Sequence, residues 1–239
     1  MNARRARALL ALLALAGTRG AGAAPSSLNT IPTADVVPPR QMTLQIQNVD
    51  TDWSGAGSVF ERPEPAFQAQ FGTFTPRIEA GIDAVPIDSP RDYRPVLNLK
   101  CLPVEEGDAL PAIALGVMQV GPNLVPAYDA VATRTLNYRQ MQYQKFRAHH
   151  RNLKLRGIRA HLGAFGVRRT LEAMAGADVQ LSDHLVIDAD WIAGAAHVAT
   201  LGGAWVLDPQ SSVQFALLRG NRDGRIDGFQ VAPTHQFTW

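Results

Sequence analysis

Residues 171–191 read LEAMAGADVQLSDHLVIDADW, and two successive stretches of this segment alternate with a period of two. Leu171, Ala173, Ala175, Ala177, Val179 and Leu181 share one side, against Glu172, Asp178 and Gln180 on the other. Past Ser182-Asp183, Leu185, Ile187, Ala189 and Trp191 oppose Asp188 and Asp190. Successive side chains of a strand point to opposite faces, so each stretch reads as a strand with one apolar and one polar face. Ser-Asp supplies the turn between them.

The same device recurs on both sides of this hairpin. Upstream, Met42, Leu44 and Ile46 oppose Thr43, Gln45 and Gln47; Phe67, Ala69 and Phe71 oppose Gln68 and Gln70. After a turn at Thr73 to Pro76, Ile78, Ala80, Ile82 and Ala84 oppose Arg77, Glu79, Gly81 and Asp83, and Leu97, Leu99 and Cys101 oppose Asn98 and Lys100. Ile113, Leu115 and Val117 share a face of a fifth strand whose facing is ambiguous, because nearly all of it is apolar. Downstream, Ala199, Leu201 and Trp205 oppose Thr200, and Val213, Phe215 and Leu217 oppose Ser212 and Gln214. Phe229, Val231, Phe237 and Trp239 face away from Gln230, Thr234, Gln236 and Thr238. In the middle, Tyr128 to Leu136 and Lys154 to Ala164 read as strands six and seven with broken alternation, around a polar, basic stretch from Asn137 to Asn152. The total is about twelve strands, with 10 to 14 compatible with the pattern.

The chain opens with Arg4, Arg5 and Arg7, an apolar run from Leu9 to Ala16, and small residues ending at Ala21-Gly22-Ala23. This is the pattern of a secretory signal peptide over residues 1–23, too short to span a bilayer as a helix. Residues 24–40 read as a flexible lead, and 41–239 as a single barrel domain. One cysteine, Cys101, permits no internal disulfide and no zinc-cysteine cluster. With 16 prolines and 20 glycines the composition suits loop-rich all-β structure. A net charge of +2, with the basic residues densest from Arg134 to Arg169, gives no global basic field, and no nucleic-acid partner is expected.

Four further features favour a transmembrane barrel over a soluble sandwich. Several strands run about 9 to 11 residues, the length that crosses an outer membrane at a tilt. Charge sits mid-strand on the polar face, and Arg77, Glu79, Asp83, Lys100, Glu172, Asp178, Asp188 and Asp190 are the expected lumen-lining residues. The links at Thr73 to Pro76, Ser182 to Asp183 and Asp208 to Gln210 are short, whereas Asp50 to Pro65 and Gly220 to Gly228 are longer. The basic stretch Asn137 to Asn152 falls on the short-turn side, and a miscounted strand in the middle would account for it. Finally, Phe237 and Trp239 resemble the C-terminal signal by which outer-membrane proteins are recognised for insertion, although Pro233 and His235 weaken the match. Trp191, Trp205 and Tyr128 fit interfacial aromatic belts or ordinary packing.

The segments Pro111-Ala112-Ile113-Ala114-Leu115-Gly116-Val117, Tyr128-Asp129-Ala130-Val131-Ala132-Thr133 and Gly157-Ile158-Arg159-Ala160-His161-Leu162-Gly163 resemble outer-membrane barrels of the YjbH type, associated with exopolysaccharide production and export. The resemblance covers about a third of the chain. It implies a barrel and a link to surface polysaccharide, and carries over no catalytic residue.

A search for nucleophilic chemistry finds His149, His150, His161, His184, His197 and His235, none in a serine-bearing motif. His161 is the best single candidate for a functional lumen histidine. Asn221, Asp223 and Asp227 around Gly224 resemble the middle of a calcium loop, but Arg219 and Gln230 occupy positions that need acids. Asp178, Asp188 and Asp190 should meet across one hairpin, either paired with Arg77, Lys100, Lys154 or Arg156, or forming a cation-selective constriction. The expectation is therefore an outer-membrane barrel without enzymatic activity or cofactor, a passive pore or envelope transport component. Its partners would be outer-membrane lipid, the barrel-assembly machinery, and surface polysaccharide or small solutes. A structural or adhesive barrel with a plugged lumen, and a secreted soluble ligand-binding β-protein, are the alternatives.

Overall fold

The structure, a computed structural model, describes residues 28–50, 64–86, 93–122, 124–136, 157–194, 197–222, 224 and 226–239. Twelve strands follow one another: β1 (Gln41–Asp50), β2 (Glu64–Gly72), β3 (Ile78–Pro86), β4 (Tyr93–Val104), β5 (Ala112–Val120), β6 (Ala127–Thr135), β7 (Ile158–Val167), β8 (Thr170–Gln180), β9 (Leu185–Ile192), β10 (Val198–Asp208), β11 (Ser211–Gly220) and β12 (Ile226–Thr238). Each pairs antiparallel with its chain neighbours, and β1 pairs with β12, closing the barrel. The all-β class and the count of twelve expected from the alternation are those of the structure. Among the described residues there is no helix long and apolar enough to cross a membrane, which says nothing of strands.

The burial pattern is inverted relative to a soluble core. His161 is fully buried while its neighbour Leu162 is 65% exposed. The same contrast repeats around the wall: Thr43, Gln45, Asp129, Gln214 and Gln230 are buried, whereas Ile46, Leu97, Leu115, Leu201 and Trp205 are exposed. The apolar positions of the two-residue period thus cover the outside, and the polar positions fill the inside.

β5 resists reading because its ladder with β4 is irregular, shifting between Leu97 and Leu99 and again between Cys101 and Val104, and because Gln119 adopts a positive φ of 59°. Its buried side is Ala114. β7 begins at Ile158, not at Lys154, and residues 154–156 lie outside the described set. The Pro233 penalty is visible in the closing ladder. Pairing of β12 with β1 runs through Gln45↔Thr234, resumes at Asn48↔Val231, and omits Ile46 and Gln47, where Pro233 has no N–H to donate. On its other side Pro233 pairs normally with Val213 of β11.

The Trp239 amide donates to the Arg40 carbonyl at 3.1 Å, so the start of β1 and the end of β12 share one end of the barrel. Strand alternation places the β2–β3, β4–β5, β6–β7, β8–β9 and β10–β11 links at that same end. The link from Leu136 to Gly157 is one of them, since β6 and β7 pair in unbroken register from Ala127↔Val167 to Thr135↔Arg159. This corrects the idea of a miscounted strand; the basic stretch 137–152 itself lies outside the described residues. Tyr128 and Trp191 stand outward near the opposite rim, and Trp205 and Trp239 outward near this one.

Candidate functional site: the lumen and the segment inside it

Residues 28–37, within the stretch read as a flexible lead, run inside the barrel. Leu28, Ile31, Ala34 and Val37 are all buried, at a spacing of three. The first three join inward side chains Ala114, Val131, Met174 and Ile192 in one apolar cluster. Small residues on the wall make room for it: a Cβ on Gly176 would lie 2.7 Å from Leu28 Cδ1 and 2.8 Å from Ile31 Cδ1.

Polar side chains of the wall hold the rest of the segment. The Thr30 amide and hydroxyl donate to Asp190 at 2.8 and 2.5 Å, and Asn29 Nδ2 donates to Asp188 at 2.5 Å. The Val37 amide donates to Glu79 at 2.8 Å, and Lys100 Nζ donates to the Asp35 carbonyl at 3.3 Å. Backbone donors with no sheet partner are thereby satisfied by wall carboxylates.

A closed circuit of bonds links the segment to β6, β7 and β8. Asp35 pairs with Arg159 Nη1 at 2.6 Å, Arg159 Nε pairs with Asp178 at 2.9 Å, and Asp178 meets His161 Nε2 at 2.8 Å. His161 Nδ1 lies 2.9 Å from Thr133 Oγ1, which accepts from the Ala34 amide at 2.9 Å. Donor accounting fixes the circuit for a neutral ring: Thr133 donates to Nδ1, and Nε2–H donates to Asp178. At Asp35, burial acts to raise the pKa, but Arg159, Thr33 and Lys100 together hold it below the ordinary carboxylate value.

Thr133, His161 and Asp178 stand in the hydroxyl–imidazole–carboxylate order of a nucleophilic triad. Yet His161 has no exposure, and the hydroxyl is engaged by the Ala34 amide, so the arrangement clamps the segment and offers no accessible nucleophile. Ser211 Oγ and His235 Nδ1, 3.0 Å apart, form a second hydroxyl–imidazole pair, which sequence reading missed because only the β11–β12 register brings them together.

The opposite side of the lumen is open. A cavity of about 420 Å³ lies between the segment and β1–β6, β11 and β12, with Asn29 and Thr30 on one side and Gln45, Gln70, Asp83, Asp129 and Gln230 among the wall residues. Adjacent strands supply it in rows: Glu79, Lys100, Gly116 and Asp129 are successive register partners from β3 to β6, and Gln45, Gln68 and Asp83 from β1 to β3.

The expected lumen residues therefore divide. Glu79, Asp83 and Lys100 line this cavity. Asp178 sits directly across from Asp188 in the β8–β9 register, and with Asp190 the three are buried, committed to Arg159, Asn29 and Thr30 and not to Arg77 or Lys100. Glu172, partly exposed at the rim away from the termini, pairs with His197 at 2.5 Å. Arg77 does not face the lumen; it stands exposed in the β2–β3 turn, paired with Glu105 at 3.0 Å. Phe237 lies edge-on to His235, and Trp239 is exposed at the barrel end. Of the calcium-like loop, Asp223 and the Asp227 side chain lie outside the described residues; Arg219 Nε donates to the Gly224 carbonyl at 2.8 Å. Among the described residues no group of acids, histidines and cysteine is arranged to hold a metal ion.

Apolar outside, polar inside, closed by twelve strands and partly filled by its own N-terminal segment, the chain falls in the class of porin-like β-barrels by fold. No protein-family model matches it, and no curated protein matches it in sequence. Among solved structures it is similar to a KdgM porin and to a KdgM porin in complex with disordered oligogalacturonate. Each has a TM-score of 0.50 and 6% identity, covering 83% of this chain and 99% of the other. At that identity the likeness is one of fold.

Proposed function

We propose that the chain is an outer-membrane β-barrel serving as a narrow, porin-like passive pore or envelope transport component. One observation carries this reading: a closed barrel with an apolar outer face encloses a polar cavity of about 420 Å³ beside the lumen segment. A soluble protein would hydrate its polar face and bury its apolar one; here the reverse holds, as lipid contact requires. The exposed aromatics Tyr128 and Trp191 near one rim, and Trp205 and Trp239 near the other, fit the two interfacial belts.

In this reading residues 1–23 are a cleaved signal peptide, Phe237 and Trp239 are the insertion signal read by the barrel-assembly machinery, and outer-membrane lipid is the surrounding solvent. The YjbH-type resemblance adds surface polysaccharide as a partner. Oligogalacturonate, named for one structural neighbour, is not proposed as the solute, because Glu79, Asp83 and Asp129 would oppose its carboxylates. A second reading, a structural barrel with a plugged lumen, is favoured by the anchoring of residues 28–37. Two experiments decide. Heat-modifiable migration and detergent-dependent solubility are expected, and a monomer soluble without detergent refutes the membrane reading. Discrete conductance steps in planar bilayers are expected of the pore, and their absence at all voltages leaves the plugged barrel.

A further inference from the structure

The cavity beside the lumen segment is bordered by buried acceptors that its donors do not reach. Among the described residues both Asp129 carboxylate oxygens are buried without a partner, as are Asp83 Oδ1, Gln70 Oε1 and Gln230 Oε1, while Asp83 Oδ2 accepts from Asn98 Nδ2 at 2.7 Å. Asp129 is 6% exposed and Gln230 1%, and both line the cavity. Amide oxygens can exchange places with nitrogens on rotation, but carboxylates cannot, so the acceptor excess at Asp129 and Asp83 is fixed by residue type.

The formal charges point the same way. Among the described residues Glu79, Asp83 and Asp129 bring three carboxyls to the cavity against one ammonium, Lys100. Lys100 and Glu79 have other work: Lys100 Nζ donates to the Asp35 carbonyl, and Glu79 accepts from the Val37 amide. Gly116, between Lys100 and Asp129 in the register row, lets the Asp129 carboxyl lean across. A Cβ there would come within 2.1 Å of Asp129 Oδ2. A buried carboxylate at the edge of a cavity and without donors is met by water, by a cation, by a donor-bearing solute or by a proton of its own, and the first three need the side chain to turn into the cavity.

We propose that this cavity is a binding and selection site for small hydrogen-bond-donating cations of the ammonium class, with Asp129 as its principal ligand and Asp83 as its second. The proposal rests on the pore reading above and names the solute class that such a pore would favour. A cation entering between Asp129, Asp83 and the glutamine oxygens receives acceptors already in place, whereas a carboxylate-bearing solute meets like charge in a confined, partly dehydrated space.

The test is reconstitution of the purified full-length barrel in planar bilayers, first in a potassium chloride gradient, then with methylammonium chloride on one side. The expected result is a cation over anion permeability ratio of about tenfold, with methylammonium permeating and slowing potassium current as it occupies the site. Asp129→Asn should lower the ratio by about threefold or more, and Asp83→Asn by less, with heat-modifiable migration confirming that both barrels are folded. Conductance with no cation preference, or a preference untouched by both substitutions, overturns this assignment and leaves the pore reading intact. Absence of conductance in wild type and both variants overturns the pore reading and this assignment together.

Discussion

Replacing Asp190 by alanine addresses most directly how firmly residues 28–37 are held in the lumen. The Asp190 carboxylate accepts from the Thr30 amide at 2.8 Å and the Thr30 hydroxyl at 2.5 Å, and Thr200 Oγ1 supplies a third donor from the wall at 2.6 Å. Hydrogen bonds to a charged group contribute about 1.5–3 kcal/mol each, so the two from Thr30 are worth about 3–6 kcal/mol. Two effects pull toward the lower figure. Thr200 keeps a partner in Asn29 Nδ2, and loss of one carboxylate relieves repulsion with Asp188 two residues away on the same face. A loss of about 3 kcal/mol shifts the docking of the segment by about 100-fold. The assay is reaction of an Ala34→Cys reporter with a membrane-impermeant maleimide, in a Cys101→Ser background so that only the segment reports. Where the segment recloses faster than it reacts, the labelling rate follows the open fraction. Asp190→Ala should therefore speed labelling by about 100-fold while heat-modifiable migration stays unchanged. Equal labelling rates with and without Asp190→Ala, in an intact barrel, would refute the anchoring argument.

Gly176→Leu should displace the apolar end of the segment, because even a Cβ there falls 2.7 Å from Leu28 and 2.8 Å from Ile31; single-channel conductance is expected to rise without loss of the folded band. Arg159→Ala leaves Asp35 and Asp178 facing each other without their shared cation; breaking such a pair costs about 3 kcal/mol, less in proportion to Arg159's partial exposure, read as a lower urea midpoint in detergent. The pH dependence of the Asp35–Arg159 contact follows from its sign. The folded pKa lies below the ordinary value of 3.8, so the contact contributes fully above that value and is lost only as pH falls through the lowered one. Divided by the thiolate fraction, which itself falls about 100-fold over this range, the maleimide labelling rate at Ala34→Cys should thus not change between pH 7 and pH 5. Pro233→Ala restores a ladder donor opposite Ile46 and should stabilise the barrel by about 1 kcal/mol in urea melts; a neutral or destabilising result would place the closing strand's strain elsewhere.

The wall was legible in the sequence because its two faces meet chemically different surroundings, and a strand's period of two writes that difference directly into the residue order. Leu162 beside His161, or Gln45 between Leu44 and Ile46, is readable without coordinates. Legibility failed where the backbone departs from the regular pleat: at the β4–β5 bulges with Gln119 at positive φ, and at the start of β7. The lumen segment left a weaker mark. Leu28, Ile31, Ala34 and Val37 recur every third residue among Pro32, Pro38 and Pro39, the period of an extended, proline-favouring chain. That period belongs to neither helix nor strand, so a search tuned to 3.6 and 2.0 passes over it.

The same gap explains why the sequence groups the acids on one face but points to Arg77 and Lys100 as their partners; Lys154 and Arg156, expected with them, lie outside the described residues. Reading the polar face as a single lumen surface puts Glu79, Lys100, Asp178, Asp188 and Asp190 in one electrostatic pool, where nearest bases would neutralise nearest acids. The segment splits that pool. Where it passes β8, β9 and β10 it brings backbone N–H groups and the Asn29 and Thr30 side chains, so Asp188 and Asp190 accept from neutral donors, and among the described residues no basic side chain is bonded to either. Asp178, facing Asp188 across the ladder, receives the cation instead, and Arg159 spends its other edge on the segment's own Asp35. On the far side Asn98 donates to Asp83 and the Val37 amide to Glu79, while Asp129 keeps both oxygens unpartnered among the described residues. Displacing the segment would therefore do more than widen a channel. It would strip Asn29 from Asp188 and Thr30 from Asp190, leaving Asp190 only its wall donor Thr200, and extend the acceptor-rich surface around the lumen, so an opened barrel should be more cation-selective than the closed one. Gly176→Leu tests this, since its larger conductance should come with a higher cation over anion ratio; a wider pore with lower selectivity would mean that the wall carboxyls lose their charge once the segment leaves.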